Sequence, residues 1–322
     1  MKVLVTGATG LVGSHLAETL TQEGYEVRCL VEPSIDASVL ASLPVEIIYG
    51  DIRDRSTVEQ AVKGCQNIYH LAGIVASPGI STQTYYDVNV GGTGNVAQAC
   101  LNNGIERLIY GSTTGIYGTI RHPPINEKTP ANPDSPYRQT KWLAEQLVMN
   151  HHRNEGLPVV AARLTSITGA RAYDWSGLLR AISVGNFRGI GTGENYHHTV
   201  DVNDAVQGLL CCAHTKNIEG ECYLIGGEKP IQLKQLFNLM TEELGVNEIK
   251  MLGLLAPFKF FGDTAHFLYR NFEIKIPQGN RYDLFLTNKV LDISKAKQEL
   301  GYSPQVSIKE SIHNLVQWYQ SK

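Results

Sequence analysis

Tyr137 and Lys141 stand four residues apart in Tyr137-Arg138-Gln139-Thr140-Lys141, within a stretch of helical character running on through Trp142, Leu143, Ala144, Glu145, Leu147 and Val148. On a helix that spacing puts the phenol and the ammonium on one face, one turn apart. A free phenol, with its pKa of about 10, is a poor base at neutral pH. A neighbouring ammonium favours the phenolate and brings it toward the working range, so the pair reads as a proton-handling device.

The second chemical signal opens the chain. Gly7, Gly10 and Gly13 follow the apolar run Val3-Leu4-Val5 and precede a helical pattern with Leu16 and Leu20 on one face and Gly24 as its stop. A strand, a glycine turn and a helix, in that order, suit a diphosphate. The backbone must turn sharply, let phosphates approach without a Cβ in the way, and aim free N–H groups at the anion.

Other chemistries find little support. Neither Ser112 nor Thr113 has a base beside it in sequence, and no Gly-x-Ser-x-Gly is present. The pairs His151-His152 and His197-His198 are poor zinc candidates, because neighbouring residues diverge and no third ligand shares their spacing, so no metal is expected. Six cysteines lack any disulfide or metal spacing, and Cys211-Cys212 falls in an apolar helical run, which points to reduced core residues and a cytoplasmic protein.

These groups need elements to hold them. With 322 residues, 43% hydrophobic and 18% charged, the chain has ample core, and its net charge of −3 offers no footprint for nucleic acid or an anionic membrane. No run reaches membrane-span length, and no targeting signal precedes the first strand. Strand patterns at 26–31, 45–49, 67–73, 107–110 and 157–164 alternate with helices at 56–62, 84–103 and the Tyr-Lys helix. That alternation predicts an α/β fold with a doubly wound parallel sheet, the Rossmann arrangement. From about residue 168 it loosens into a smaller C-terminal α/β substrate lobe, with helices at 233–244, 294–300 and 307–320, the last opened by a Ser307/Glu310 capping box. The expected division is a dinucleotide-binding domain over 1–167, to which 199–226 returns, and a substrate lobe over 168–322.

A dinucleotide fold needs an acceptor at the end of its second strand to hold the adenosine ribose, and Glu32 sits there. Its carboxylate would accept from a 2′-hydroxyl and repel a 2′-phosphate. NAD is therefore favoured, while Pro33-Ser34 and Arg28 leave NADP open.

The Gly-x-x-Gly-x-x-Gly turn together with Tyr-x-x-x-Lys resembles the extended branch of the short-chain dehydrogenase/reductases, and the resemblance covers nearly the whole chain. It implies that Gly7, Thr9, Gly10, Leu11, Val12 and Gly13 cradle the cofactor diphosphate, and that Asp51-Ile52 hold the adenine. It implies too that Leu71-Ala72-Gly73 lie beneath ribose and diphosphate, with His70 before them a packed strand residue. Asn89, in an Asn-Val-x-Gly-Thr-like motif, would brace the site. Gly111-Ser112-Thr113-Thr114-Gly115-Ile116-Tyr117-Gly118 resembles the segment carrying the family's catalytic hydroxyl. That hydroxyl corresponds to Thr113, with Ser112 the alternative and a cofactor neighbour. Leu164, Ser166 and Ile167 would run under the nicotinamide carboxamide. Tyr137 would move the proton of the substrate oxygen while Lys141 bonds the nicotinamide ribose.

Within the family, nucleotide-sugar members carry a diphosphate-binding arginine, whereas the corresponding stretch, 196–202, presents histidine. The dehydratase Asp-Glu pair is replaced by Thr114 and Gly115. The apolar, aromatic region 252–272 is similar instead to the 3β-hydroxysteroid dehydrogenase and dihydroflavonol reductase-like group. The expectation is an NAD(P)-dependent oxidoreductase acting on a ketone or secondary alcohol of a small, fairly apolar substrate. The alternatives are a sugar epimerase that keeps NAD bound and a non-catalytic nucleotide-binding scaffold. By resemblance, helices around 84–103 and 137–152 would pair two copies as a homodimer.

Overall fold

In the computed structural model, residues 1–77, 79–253, 260, 264 and 283–322 are described. The strands in chain order are β1 (Lys2–Thr6), β2 (Glu26–Val31), β3 (Glu46–Tyr49), β4 (Asn67–His70), β5 (Arg107–Thr113) and β6 (Val159–Leu164). Then follow β7 (Ser166–Thr168), β8 (Tyr196–His197), β9 (Thr199–Asp201), β10 (Cys222–Ile225) and β11 (Ile231–Gln232). Seven of them form one parallel sheet in the order β3-β2-β1-β4-β5-β6-β10. The order reverses between β1 and β4, and at such a switch point the crevice at the strands' carboxyl ends binds ligands.

Helices α1 (Leu11–Gln22), α2 (Arg55–Val62), α3 (Thr82–Tyr85), α4 (Thr93–Asn103), α5 (Pro136–Glu155), α6 (Ser176–Ser183), α7 (Val202–His214) and α8 (Leu233–Leu244) complete the frame. Successive residues of β1 face opposite ways. Val3 and Val5 join Leu16 and Leu20 of α1 and Val206 and Leu209 of α7 in one core. Leu4 joins Val58 of α2, Val96 of α4 and Val148 of α5 in the other. A sheet covered on both faces explains the unbroken apolar runs of its strands.

A third apolar cluster lies off the sheet, where Leu179 and Ile182 of α6 and Leu236, Phe237 and Met240 of α8 meet Ile312, Leu315 and Val316 of the C-terminal helix Ile308–Gln320. Ser307 caps that helix by accepting the Glu310 N–H at 3.2 Å. Ile293, Ala296 and Leu300, around the helix Ser294–Leu300, pack back onto the α1–α7 core. The 199–226 segment is divided: β9 pairs with β7, α7 covers the main sheet, and β10 extends it beside β6. Residues 252–272 lie outside the described residues except for 252, 253, 260 and 264.

Three elements depart from the sequence reading, the first being β4, which ends at His70 and not at residue 73. β5 runs on through Ser112 and Thr113, because β6 supplies Arg163 and Leu164 as ladder partners. The helix expected over 84–103 is instead α3, a π-helical segment Tyr86–Gly92, and α4. Close packing accompanies the widened turn: a Cβ on Gly92 would lie 2.5 Å from Ile52 Cδ1.

Candidate functional site

The crevice at the switch point opens into a cleft of about 1000 Å³. Its floor is the β1–α1 turn. Gly7 adopts φ +72°, and a Cβ there would lie 2.7 Å from Ala72 N; one on Gly13 would sit 2.1 Å from Gly7 O. Backbone contact thus requires glycine at both positions, and at Gly7 the left-handed conformation does so as well. Gly10 caps α1 without a side-chain hydrogen bond, leaving first-turn N–H groups as donors at the positive end of a 12-residue helix. Gly7, Thr9, Gly10, Leu11, Val12 and Gly13 all line the cleft. A cradle that no Cβ could share, floored by N–H donors, fits a dinucleotide diphosphate.

At the β2–β3 end, Glu32, Asp51 and Ile52 also line the cleft. Glu32 is exposed, and its carboxylate accepts from the Ser34 hydroxyl and the Ser34 N–H. Arg53, which sequence reasoning overlooked, donates to Asp51 Oδ2 from Nη2 at 2.5 Å and Nε at 2.9 Å. Those bonds hold the Asp51 carboxyl below its ordinary range. Arg28 is elsewhere, with its guanidinium on the carbonyls of Ala61 (2.7 Å) and Lys63 (2.8 Å) at the end of α2.

The cleft wall rests on a buried polar chain. Ala72 N–H donates to Thr6 Oγ1 (3.2 Å), which meets His70 Nδ1 at 2.7 Å. His70 Nε2 lies 2.9 Å from Thr93 Oγ1, which donates to the Asn89 carbonyl at 2.6 Å. With Thr93's proton so used, Nε2 carries the ring hydrogen and Nδ1 accepts from Thr6. Burial, aided by the Lys141 charge, pushes the imidazole down to about 3, so it is neutral and fixed in one orientation. His70 is packed within the sheet.

Asn89 braces this wall from behind. It does not line the cleft with Leu71, Ala72 and Gly73; it stands one layer behind them. Its Oδ1 accepts the Ile74 N–H (2.8 Å), and its Nδ2 donates to Ile74 O and Thr140 Oγ1, both at 3.1 Å. The π-helical turn carries it inward to tie the wall to α5, and a π-bulge is visible only in the backbone.

At the β5–α5 end stand the proton-handling candidates. Ser135 caps α5 and Pro136 occupies its first turn, so Tyr137 enters the cleft at the start of the helix. Loss of water raises the phenol, and the Thr113 hydroxyl lowers it in part, so its net position is above the ordinary value. The expected acidification by Lys141 is therefore absent in this arrangement. Lys141 Nζ turns instead to the Gly111 carbonyl at 2.7 Å and lies 4.5 Å from the Tyr110 ring centre. A shared helix face fixes the direction of a lysine's stem, while its end settles on the nearest carbonyl.

Ser112, expected as a cofactor neighbour, lines the cleft, and its hydroxyl donates to Glu145 Oε2 at 2.5 Å. Thr113 lines the cleft together with Tyr137, and its hydroxyl accepts the Gly115 N–H at 3.0 Å. Leu164, Ser166 and Ile167 line the same end of the cleft, where Lys289 Nζ reaches Ser166 Oγ at 3.4 Å. Ile74, Val75, Thr84, Asp174 and Trp175 join them. These came from loops and short helices without motif spacing, so nothing local marked them.

His197 is buried with Nε2 2.5 Å from the Leu284 carbonyl, and burial pushes it down to about 4. His198 accepts the Leu291 N–H at Nδ1 and meets Gly227 O at 2.7 Å through Nε2. Both are structural ties between the β8–β9 region and 284–291. No group of metal-ligating side chains occurs among the described residues. No described helix is long and apolar enough to cross a membrane.

Fold and cleft together define a dinucleotide-binding α/β protein of the short-chain dehydrogenase/reductase type. The chain belongs to the NAD dependent epimerase/dehydratase family, whose model matches residues 3–226, and so to the extended branch of that superfamily. It is 28% identical to the Arabidopsis thaliana 3beta-hydroxysteroid-dehydrogenase/decarboxylase isoform 1, over 97% of this chain and 78% of that protein. It is 26% identical to a putative UDP-glucose 4-epimerase of Methanocaldococcus jannaschii, over 99% and 98%. The crystal structure of gox2253 superimposes with a TM-score of 0.84 at 29% identity, covering 99% of this chain and 98% of that one. Members of the family are NAD-dependent dehydrogenases, dehydratases and epimerases.

Proposed function

We propose that the chain is an NAD(P)-dependent oxidoreductase interconverting a ketone and a secondary alcohol on a small, fairly apolar molecule. One observation carries the reading: a half-buried phenol, one helical turn from Lys141, shares with Thr113 a cleft floored by a glycine cradle. NAD, when bound, supplies the acceptor or donor of a hydride. Tyr137 Oη takes or gives the proton of the substrate oxygen, and Thr113 Oγ1 hydrogen-bonds that oxygen. Lys141 holds the nicotinamide ribose, while Glu32 holds the adenosine ribose and favours NAD over NADP.

The apolar residues Ile74, Val75, Ile167 and Trp175, which line the same cleft as the phenol, support an apolar substrate. So does the commitment of His197 to Leu284, which leaves it turned from any diphosphate. Similarity to the hydroxysteroid dehydrogenase/decarboxylase points the same way. In this reading residues 1–167 bind the cofactor and 168–322 mainly the substrate. The protein is a cytoplasmic homodimer joined through α4 and α5, and its six cysteines are free thiols.

The second reading, a sugar epimerase that oxidises and re-reduces its substrate on one retained NAD, is favoured by the similarity to the archaeal epimerase. Two measurements separate them. Mass spectrometry of the small molecules released on denaturation identifies any retained cofactor. Nicotinamide absorbance then reports net redox across a panel of ketones, secondary alcohols and nucleotide sugars. Net change with an apolar ketone or alcohol supports the dehydrogenase. Co-purifying NAD with sugar isomerisation and no net change overturns it.

A further inference from the structure

Behind the cleft wall lies a charged cluster that neither the glycine cradle nor the proton pair uses directly. Glu145 on α5 is fully buried, and so, nearly, is Arg163 on β6. Arg163 donates to Glu145 Oε1 from Nη2 at 2.6 Å and to both carboxylate oxygens from Nε at 3.1–3.2 Å. Ser112 Oγ adds a donor at 2.5 Å. On its far side Arg163 Nη1 donates to Tyr117 Oη (2.6 Å) and the Glu127 carbonyl (3.1 Å). A buried ion pair rarely stabilises a fold more than apolar residues of the same volume would. Its retention beside a reactive cleft therefore invites a functional account.

Position supplies one. Glu145 follows Lys141 by four residues on α5, which sets the two side chains on one face of the helix. We propose that Glu145 is a positioning residue: clamped by Arg163 and Ser112, its carboxylate keeps the Lys141 amine charged in the dry floor of the cleft. The inference rests on reading Tyr137 and Lys141 as the proton-handling pair. It adds that this pair depends on a third charge one turn further along the helix.

The surroundings of Lys141 make such support necessary. From β5 it faces the Gly111 carbonyl and the Tyr110 ring; from β4, His70, which is neutral; from its own helix, Tyr137 and Glu145. Burial pushes Lys141 down to about 8, and the Glu145 charge opposes that fall. Glu145 in turn faces Arg163 from β6, Ser112 and Tyr110 from β5, and Cys222 from β10 lies beside the pair. Glu145 and Arg163 hold each other in place, while Glu145, the member on the lysine's own helix, acts on the amine through a low-dielectric interior.

Trace acetylation of the intact protein with acetic anhydride, read by peptide mass spectrometry across pH 6–10, follows the Lys141 titration without needing turnover. Glu145→Gln is expected to move the labelling midpoint down by about one pH unit or more, so that Lys141 acetylates roughly five-fold faster at pH 7. Glu145→Asp should restore most of the wild-type midpoint. If the glutamine variant does not fold, the double variant Glu145→Gln, Arg163→Met removes both charges and should lower the midpoint in the same direction. An unchanged Lys141 midpoint in a folded variant overturns the proposal, whatever the activity assays find. A shifted midpoint upholds it even if no ketone or alcohol is ever turned over.

Discussion

The two ends of the cleft differ in water more than in residue type. At the β2–β3 end, Glu32 is exposed, and Asp51 shares its charge with Arg53 within reach of solvent. At the β5–α5 end, the half-buried Tyr137 and the buried Lys141 border the cleft, with Glu145 and Arg163 sealed behind them. Charges in water recognise a ligand at modest energy, because solvent screens them. Charges out of water shift one another's protonation, which is the requirement for moving a proton near neutral pH. One end is thus suited to selecting a cofactor and the other to chemistry.

Substitutions can break that contrast. The largest effect is expected at the dry end, where Tyr137→Phe should lower kcat by roughly 10³-fold while leaving NADH binding intact, the range of a lost general acid or base. Steady-state kinetics beside a fluorescence titration would separate the two, and full turnover would remove the phenol from the mechanism. Next comes the shared floor. A Gly13→Ala side chain meets Gly7 O at 2.1 Å, so NADH affinity should fall by about 100-fold or more and the thermal midpoint should drop. Gly177→Ala, where nothing lies within 4 Å, is the control and should leave NADH affinity unchanged without lowering the thermal midpoint.

Acid sharpens the contrast through the buried imidazoles. His70 and His197 are held neutral, down to about 3 and about 4, so the unfolded chain binds protons that the fold refuses. Stability should therefore decline as pH falls through about 6.5 toward those values, by about 2 kcal/mol per imidazole at pH 5. Urea unfolding at pH 7 and pH 5 measures it, and a His70→Asn variant should show a shallower decline. An identical pH slope in that variant would contradict the buried, neutral assignment. The smallest effect belongs to the wet end. Glu32→Gln should raise the relative affinity for NADP over NAD by about ten-fold, consistent with a screened charge near a 2′-phosphate. No change in the ratio would mean that Arg53 and Asp51 set the preference instead.

Much of the sheet was legible in the sequence because its inner strands are covered on both faces, and an unbroken run such as Val3-Leu4-Val5 states this locally. Helix ends were legible where a left-handed glycine closes them, as Gly245 and Gly301 do. The π-helical turn at Tyr86–Gly92 was not, since its extra residue answers to Ile52 and Thr140, which are remote in sequence. Ser112 and Thr113 are adjacent in sequence, yet one hydroxyl donates to Glu145 and the other accepts the Gly115 N–H, and only the packing of α5 against β5 gives Ser112 its partner.

Sequence alone determined what depends on neighbours along the chain: the strand–glycine–helix order, the turn-to-turn spacing of Tyr137 and Lys141, and the alternation that yields a parallel sheet. Tertiary structure decided what depends on desolvation and distant partners. It turned Lys141 toward Gly111, set Asn89 behind the wall, drew Arg28 to the end of α2, and buried Glu145 against Arg163. Backbone preferences act over a few residues, whereas the protonation and aim of a side chain follow from every element that closes around it.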